Sequence, residues 1–587
     1  MDRLRRVISN TVISLLGQVV TWTSTLLLTV AYGRFLGDVK FGELYFALAF
    51  VVLFGVPLEF GFNQQLTRDV AQKPDKALRY LSNTLLIKGL LWLILYGLIL
   101  LVCWLLGYNA EVRSLVAING FTLLFASITN AFKALHYAFE RVVFPVIGTI
   151  LEKGLAALIG IILLRNGAGV QVMAFVLLGG AIANGLWQAL WFFHLTGVSF
   201  AIERALIREL IRTSIPFMLY GALAVIYYRI DAVLLSLMTN VAVVGWYGAA
   251  YRLFDTLNFL PTLVVGAILY PVFSKLSVSS ETNLKLAIEK SMNFLLFCSL
   301  PISIGLFVAA PNIIAFLYHR VEFSHSIPVL QALAPGLVFL YINTVFSTTI
   351  ISTKREKKIA IMAAVALVFN LGLNLVLIPS YQHIGAAAVT SLTELLLLCL
   401  SVIFMPKHLL PLGSLRVAVK AAIASFVMAL AVLGLTWLHI YNIFVILSVA
   451  TLIYLSIATL IGTIPREDMR ALLTAMRSKV DLPPARPLDS QEERVQGWQT
   501  EDNSRSITLP SSMQRISPTQ SPQGESAELS MQEAPYSSNG TGTSLPAVTH
   551  AELELQAEDM AEFIDEQALT EPQLNVPWWL YPNRYHQ

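Results

Sequence analysis

Charge is scarce in this sequence. Only 13% of its 587 residues are Asp, Glu, Lys or Arg, against about 25% in an ordinary soluble domain. A shortage of that size excludes a conventional water-soluble globule. Cysteine is rarer still. Cys103, Cys298 and Cys399 all fall in apolar runs and no two stand at metal-ligand spacing, which excludes a disulfide framework and a thiolate metal site. The chain also lacks a GxxxxGK[ST] phosphate loop and an HExxH pair, so neither ATP hydrolysis nor zinc proteolysis has support here. Nothing calls for a cofactor, a metal or a nucleic acid, and the expectation is a protein that is not an enzyme.

What fills the space is hydrocarbon: 56% of residues are hydrophobic and mean hydropathy is +0.67. A bilayer core about 30 Å thick takes about 20 apolar residues per helical crossing. Such runs occur at 8–32, 41–62, 84–107, 114–132, 143–164, 171–194 and 214–238. They continue at 243–274, 290–318, 326–352, 359–379, 384–405, 415–438 and 442–462. The predicted fold is an all-α polytopic membrane protein of about fourteen transmembrane helices. Arg3, Arg5 and Arg6 precede the first run as in a signal peptide, but that run is too long for an h-region.

Charge placement tests the count independently, because cytoplasmic loops are enriched in Lys and Arg. With the N-terminus inside, the inner segments hold twenty-five basic residues and the outer ones only Arg34, Lys40, Arg113, Arg165 and Arg320. A missed span would exchange the sides of every later loop. Both termini are therefore expected in the cytoplasm, with the chain multi-pass in the plasma (inner) membrane. The segment 198–212, with basic residues between apolar ones at helical spacing, reads either as a surface-lying helix or as an extension of the next span.

A weak repeat sets Gly42–Glu43–Leu44–Tyr45 opposite Gly245–Trp246–Tyr247–Gly248, about 203 residues apart. Many transporters are duplicated halves, and two halves of six helices plus two more fit the count. The expected divisions are an N-terminal lobe at 1–197, a C-terminal lobe at 198–406, two added helices at 407–464 and a cytoplasmic tail at 465–587. From Asp481 onward the chain carries 17 acidic and 5 basic residues and is rich in Ser, Pro and Gln, a composition that favours disorder. Within it, 551–571 reads as an acidic amphipathic helix. Trp578, Trp579, Tyr581 and Tyr585 form a terminal aromatic cluster, a candidate contact for a partner.

Ionisable residues inside spans are expensive and usually face a cavity or a partner. The densest group is Arg229, Asp231, Arg252 and Asp255 in the seventh and eighth spans. At 1.5 Å per residue, both arginines lie roughly 13 Å from the outer ends of their helices. One reading has the arginines attract an anionic headgroup while a carboxylate binds a coupling ion. The other pairs Arg252 with Asp231, or Arg229 with Asp255, only to pin the helices. Glu394 is equally deep in the twelfth span. Glu59, Lys133, Glu152, Lys153 and Asn370 are secondary cavity candidates, although Glu59 and Lys133 are also placed to snorkel to water. Asn184 and Asn374, with Asn370, suit interhelical hydrogen bonding. Pro261 and Pro271 should bend the eighth helix.

The runs 58–71 (LEFGFNQQLTRDVA), 214–238, 245–261 (GWYGAAYRLFDTLNFLP) and 370–394 (NLGLNLVLIPSYQHIGAAAVTSLTE) resemble Wzx-type oligosaccharide flippases. Those belong to the multidrug/oligosaccharidyl-lipid/polysaccharide (MOP) exporter superfamily, and the resemblance covers about residues 5–465. It implies two MATE-like six-helix lobes around a cavity, and movement of a polyprenyl-diphosphate-linked glycan to the outer leaflet. By the same resemblance Arg252 and Arg229 would engage the diphosphate, and Asp231, Asp255 or Glu394 would couple an ion. The first span carries no intramembrane charge, unlike the lipid II branch, which argues against a peptidoglycan precursor. Alternatives are a cation-coupled drug or metabolite antiporter of the same fold, a membrane-embedded polymerase or glycosyltransferase, and a scaffold recruiting polysaccharide-assembly proteins through the tail. The first would prefer an acidic, apolar cavity, and the second would need catalytic carboxylates in large outer loops, which are absent.

Overall fold

In a computed structural model of the chain, residues 2–463 are described apart from 60, 198 and 265–268. The tail expected from 465, with its 551–571 segment and aromatic cluster, lies outside the described residues. Among the described residues every regular element is helical, as lipid requires of open chain segments, since only helices satisfy their own backbone polar groups there.

The first half contains α1 (Asp2–Glu59), α2 (Phe62–Gln72), α3 (Ala77–Leu105), α4 (Ala110–Ala138), α5 (Val143–Arg165) and α6 (Val170–Thr196). The second begins with α7 (Arg204–Met238) and the broken trio α8 (Val241–Leu257), α9 (Phe259–Val264) and α10 (Tyr270–Ser279). It continues with α11 (Glu281–Tyr318), α12 (Ser326–Ser352) and α13 (Glu356–Phe404), after which come α14 (Ser414–Trp437) and α15 (Ile443–Leu460). Ten stretches of the described residues are long and apolar enough to cross a membrane.

Two of the longest helices are bent pairs of spans. The legs of α1 meet at Gly37, whose φ of 80° and ψ of 178° are essentially confined to glycine. Those of α13 meet at Gln382, with φ 46° and ψ −126°. Both joints fall in the gaps foreseen between apolar runs. Pro261 lies in α9 and Pro271 in the first turn of α10, so the eighth run is interrupted where its prolines are. Segment 198–212 is no surface helix. From Arg204 it is the first turns of α7, held against α2 and α3 by Leu210, which is buried with Phe62, Leu66 and Leu81.

Within the first half α1 packs on α4 and α5, and α6 on α4 and α5. In the second, α12 packs on α8, α11 and α13, and α13 on α7. The added pair α14–α15 rests on α11 through Ala309, Met428 and Tyr454. α1 is also the main bridge between halves, touching α7, α8 and α11.

That bridge is closed at the charge-poor end. Gly42 and Gly245, matched by the weak repeat, face each other across the α1–α8 crossing. A Cβ on Gly42 would strike the Val241 carbonyl, and one on Gly245 the Asp38 carbonyl. Small residues here let two backbones approach. Beside the crossing two arginines exchange caps. Arg34 Nη2 donates to the Phe316 carbonyl at 2.7 Å, in the last turn of α11. In return Arg320 Nε donates to the Arg34 carbonyl at 2.8 Å, just before the Gly37 joint. Each cation meets the negative end of a helical segment from the other half. Asp38 adds a third tie, accepting from Trp246 Nε1 at 2.9 Å. Replacing both Arg34 and Arg320 with alanine should loosen this closure. A cysteine placed at Ser326, buried beneath Trp246, should then react several-fold faster with a membrane-impermeant thiol reagent. An unchanged rate would mean the caps hold nothing shut.

Candidate functional site

The seam between the halves carries the charges. Arg229, on α7, pairs with Asp255, on α8, at 3.2 Å, and its guanidinium lies 5.9 Å from the centre of the Tyr251 ring, within cation–π range. Arg252 is 4.0 Å from the same Asp255 oxygen, and its Nε donates to Thr29 Oγ1 of α1 at 3.3 Å. Two cations therefore share one carboxylate, leaving a net positive group where the halves meet. The three side chains keep 30%, 30% and 24% of their surface accessible. They are not sealed among helices.

Asp231 is a different case. Neither arginine reaches it. It is buried within the second half, where three neutral donors from α8 and α13 converge: Asn374 Nδ2 at 2.7 Å, Tyr247 OH at 3.0 Å and Thr390 Oγ1 at 3.0 Å. Asn374 also donates to Asn370 at 3.0 Å, and Asn370 to Thr393 at 3.3 Å. Of the two pinning pairs considered from sequence, Arg229–Asp255 exists and Arg252–Asp231 does not. Glu394 is buried as well, accepting from Asn343 Nδ2 at 3.2 Å and from the Tyr228 hydroxyl at 3.5 Å. A buried carboxylate facing only neutral donors is suited to a proton or a small monovalent cation, whereas one fixed to an arginine is already compensated.

The first half has its own polar interior. Glu59 Oε2 accepts from Asn63 at 3.1 Å and Asn130 at 2.8 Å. Lys133 donates to Thr149 at 2.8 Å. Glu152 pairs with Lys153 at 2.6 Å and accepts from Asn184 at 2.7 Å. Glu59 and Lys133 thus turn to partners in the bundle instead of snorkelling. Sequence reasoning passed over Lys88, which is fully buried. Its ammonium has three acceptors: Asn63 Oδ1 at 3.1 Å and the Ser127 carbonyl and hydroxyl, each at 3.0 Å. Asn63 thereby links Lys88 to Glu59 beside the Gly61 break, where φ is 96°. A lysine near the end of an apolar run normally reaches for water, and its acceptors on two other helices left no local mark beside it in the sequence. Lys88→Ala orphans two or three buried acceptors at about 1 kcal/mol or more each. The solubilised variant should show a clearly lower thermal midpoint than wild type, and an unchanged midpoint would refute the burial.

Known proteins share this arrangement of helices. Lipid II flippase MurJ in an inward closed conformation superposes with a TM-score of 0.64 at 16% identity, covering 78% of this chain and 99% of its own. An inward-facing multidrug resistance MATE family transporter of the MOP superfamily gives 0.56 at 13% identity, covering 68% and 98%. This is the MOP-superfamily fold. Residues 7–277 further match the family described as "Polysaccharide biosynthesis protein". A probable low-salt glycan biosynthesis flippase of Haloferax volcanii is 21% identical over 239 residues, 40% of this chain. The chain spans less than half the length of the curated relatives it matches, 37% and 49%. The fold foreseen from the four sequence runs thus stands, together with a match over residues 7–277 to a polysaccharide-biosynthesis family.

Proposed function

We propose that this protein is a MOP-type exporter that flips a polyprenyl-diphosphate-linked oligosaccharide from the cytoplasmic to the outer leaflet for surface polysaccharide synthesis. The observation that carries the reading is the accessible Arg229–Asp255–Arg252 group on the seam between halves. Two guanidiniums with one shared carboxylate have donors to spare for a diphosphate, which arginine matches in fork geometry. The family match over 7–277 and the flippase relative support the same direction.

In this reading the charge-rich end is cytoplasmic, both termini lie inside and the membrane is the plasma membrane. Residues 1–197 and 198–406 are the two lobes, 407–464 an added pair and 465–587 a tail that contacts assembly proteins. The capped, charge-poor end is the shut outer gate. The headgroup enters from the cytoplasmic side, the lipid tail stays in hydrocarbon, and rocking of the lobes moves the site across. Asp231, backed by Asn370, takes the coupling ion, and Glu394 is a second candidate. Glu59, Lys133, Glu152 and Lys153 line the first lobe's side of the path. The drug-antiporter reading fits less well, because an organic cation would be repelled by the arginines.

The test uses purified protein in vesicles carrying a fluorescent lipid-linked oligosaccharide. Protein-dependent appearance of the glycan on the opposite leaflet is the expected result, with headgroup affinity falling as ionic strength rises. No flipping, or affinity flat from low to high salt, rejects the proposal.

A further inference from the structure

Away from the seam, an apolar groove of about 370 Å³ runs between α3 and α7. Ile87, Leu90 and Ile94 form one wall and Ile207, Ile211 and Ile215 the other. Leu90 and Ile94 are 55% and 68% exposed, Ile211 and Ile215 42% and 44%, so the groove opens to the surrounding medium. The three α7 isoleucines are four residues apart and run about 12 Å along the helix, from the level of the headgroups into the outer part of the acyl layer.

A second stripe runs beside them on the same helix. Arg204, Arg208 and Arg212 are all exposed, and among the described residues none of them makes an ion pair. Nearby acids do not neutralise the row. Glu203 is taken by Arg79 at 3.1 Å, and Glu209, three residues before Arg212 on the same helix, makes no ion pair with it among the described residues. Arginine row and apolar trough therefore lie side by side at the charge-rich end, where hydrocarbon gives way to headgroups.

We infer that this groove is a selective site for an anionic phospholipid of the bilayer. Its acyl chain lies along the isoleucines and its phosphate-bearing headgroup on Arg208 and Arg212. The inference is separate from the flipping reaction. It concerns a lipid that stays, wedged where the first turns of α7 lean on the opposite half. Neutral lipid can fill the trough but leaves the arginine row uncompensated, so charge is the source of selectivity.

The test is native mass spectrometry of lipids retained by the full chain, extracted from vesicles of equal phosphatidylglycerol and phosphatidylcholine. Wild type should retain phosphatidylglycerol in about 25-fold excess. Removing both headgroup contacts in R208Q/R212Q should lower that excess by about fivefold per arginine, while R208K/R212K keeps it. I211W, filling the trough, should lower total retained lipid, with monodisperse elution verifying that each variant is folded. Equal retention of the two lipids by wild type would identify ordinary annular lipid and overturn the inference. So would an excess that survives both R208Q/R212Q and I211W, since the charged lipid would then sit elsewhere.

Discussion

Arg252→Ala is expected to slow transport of a diphosphate-linked lipid about 100-fold while the protein stays folded. The separation of the two effects comes from the geometry. Asp255 holds Arg229 at 3.2 Å, whereas Arg252 is 4.0 Å from it. Losing Arg252 therefore leaves no carboxylate stranded. It removes one hydrogen bond to Thr29, worth about 1 kcal/mol. Loss of a desolvated charge contact to a ligand costs 2 to 5 kcal/mol, and about 2.7 kcal/mol already corresponds to 100-fold. Arg229→Ala should be harsher on stability, because it leaves Asp255 with only the distant arginine. Arg252→Lys keeps the charge but not the fork, and should fall between wild type and alanine. Near-normal transport by Arg252→Ala, measured in vesicles with matched protein content, would remove the headgroup role.

How much of this was readable beforehand depended on distance along the chain. Helices and their ends are local properties of apolar runs, so the spans 143–164 and 326–352 coincide almost residue for residue with α5 and α12. The joints at Gly37 and Gln382 and the break around Pro261 were marked by gaps and prolines. The Arg229–Asp255 pair was accessible too, since its helices are joined by a tight turn and depth can be counted. The alternative pairing of Asp231 with Arg252 does not form, and the sequence could not show why, because the partners it does meet, Asn374 and Thr390, lie 143 and 159 residues away. Lys88 escaped notice for the same reason. Its acceptors Asn63 and Ser127 come from two other helices. The sequence alone does not place the 198–212 segment, because a basic amphipathic turn looks alike on a membrane surface and on a neighbouring helix. Burial of Leu210 against α2 and α3 decides it.

Asp231→Asn should abolish the ion dependence of transport and lower its rate at least tenfold in the presence of a gradient. The carboxylate accepts on both oxygens: Asn374 at Oδ1, Tyr247 and Thr390 at Oδ2. An asparagine there retains one accepting oxygen for the latter pair, but its amide nitrogen meets the amide nitrogen of Asn374. Relief requires Asn374 to turn over, which in turn breaks its bond to Asn370 Oδ1. The substitution is nearly isosteric, so the helix packing persists while the one negative charge in this nest is gone. Alanine is the contrasting variant. It strands the Tyr247 hydroxyl and one Asn374 amide hydrogen at about 1 to 3 kcal/mol each, while Thr390 keeps the Ala386 carbonyl, and it should lower thermal stability as well as transport. The informative measurement is transport by Asp231→Asn with and without an imposed proton or sodium gradient. If the rate still responds to the gradient as in wild type, coupling lies elsewhere. Glu394, held by Asn343 and Tyr228, then becomes the carboxylate to substitute, because among the described residues it is the other buried acid in this half that meets only neutral donors.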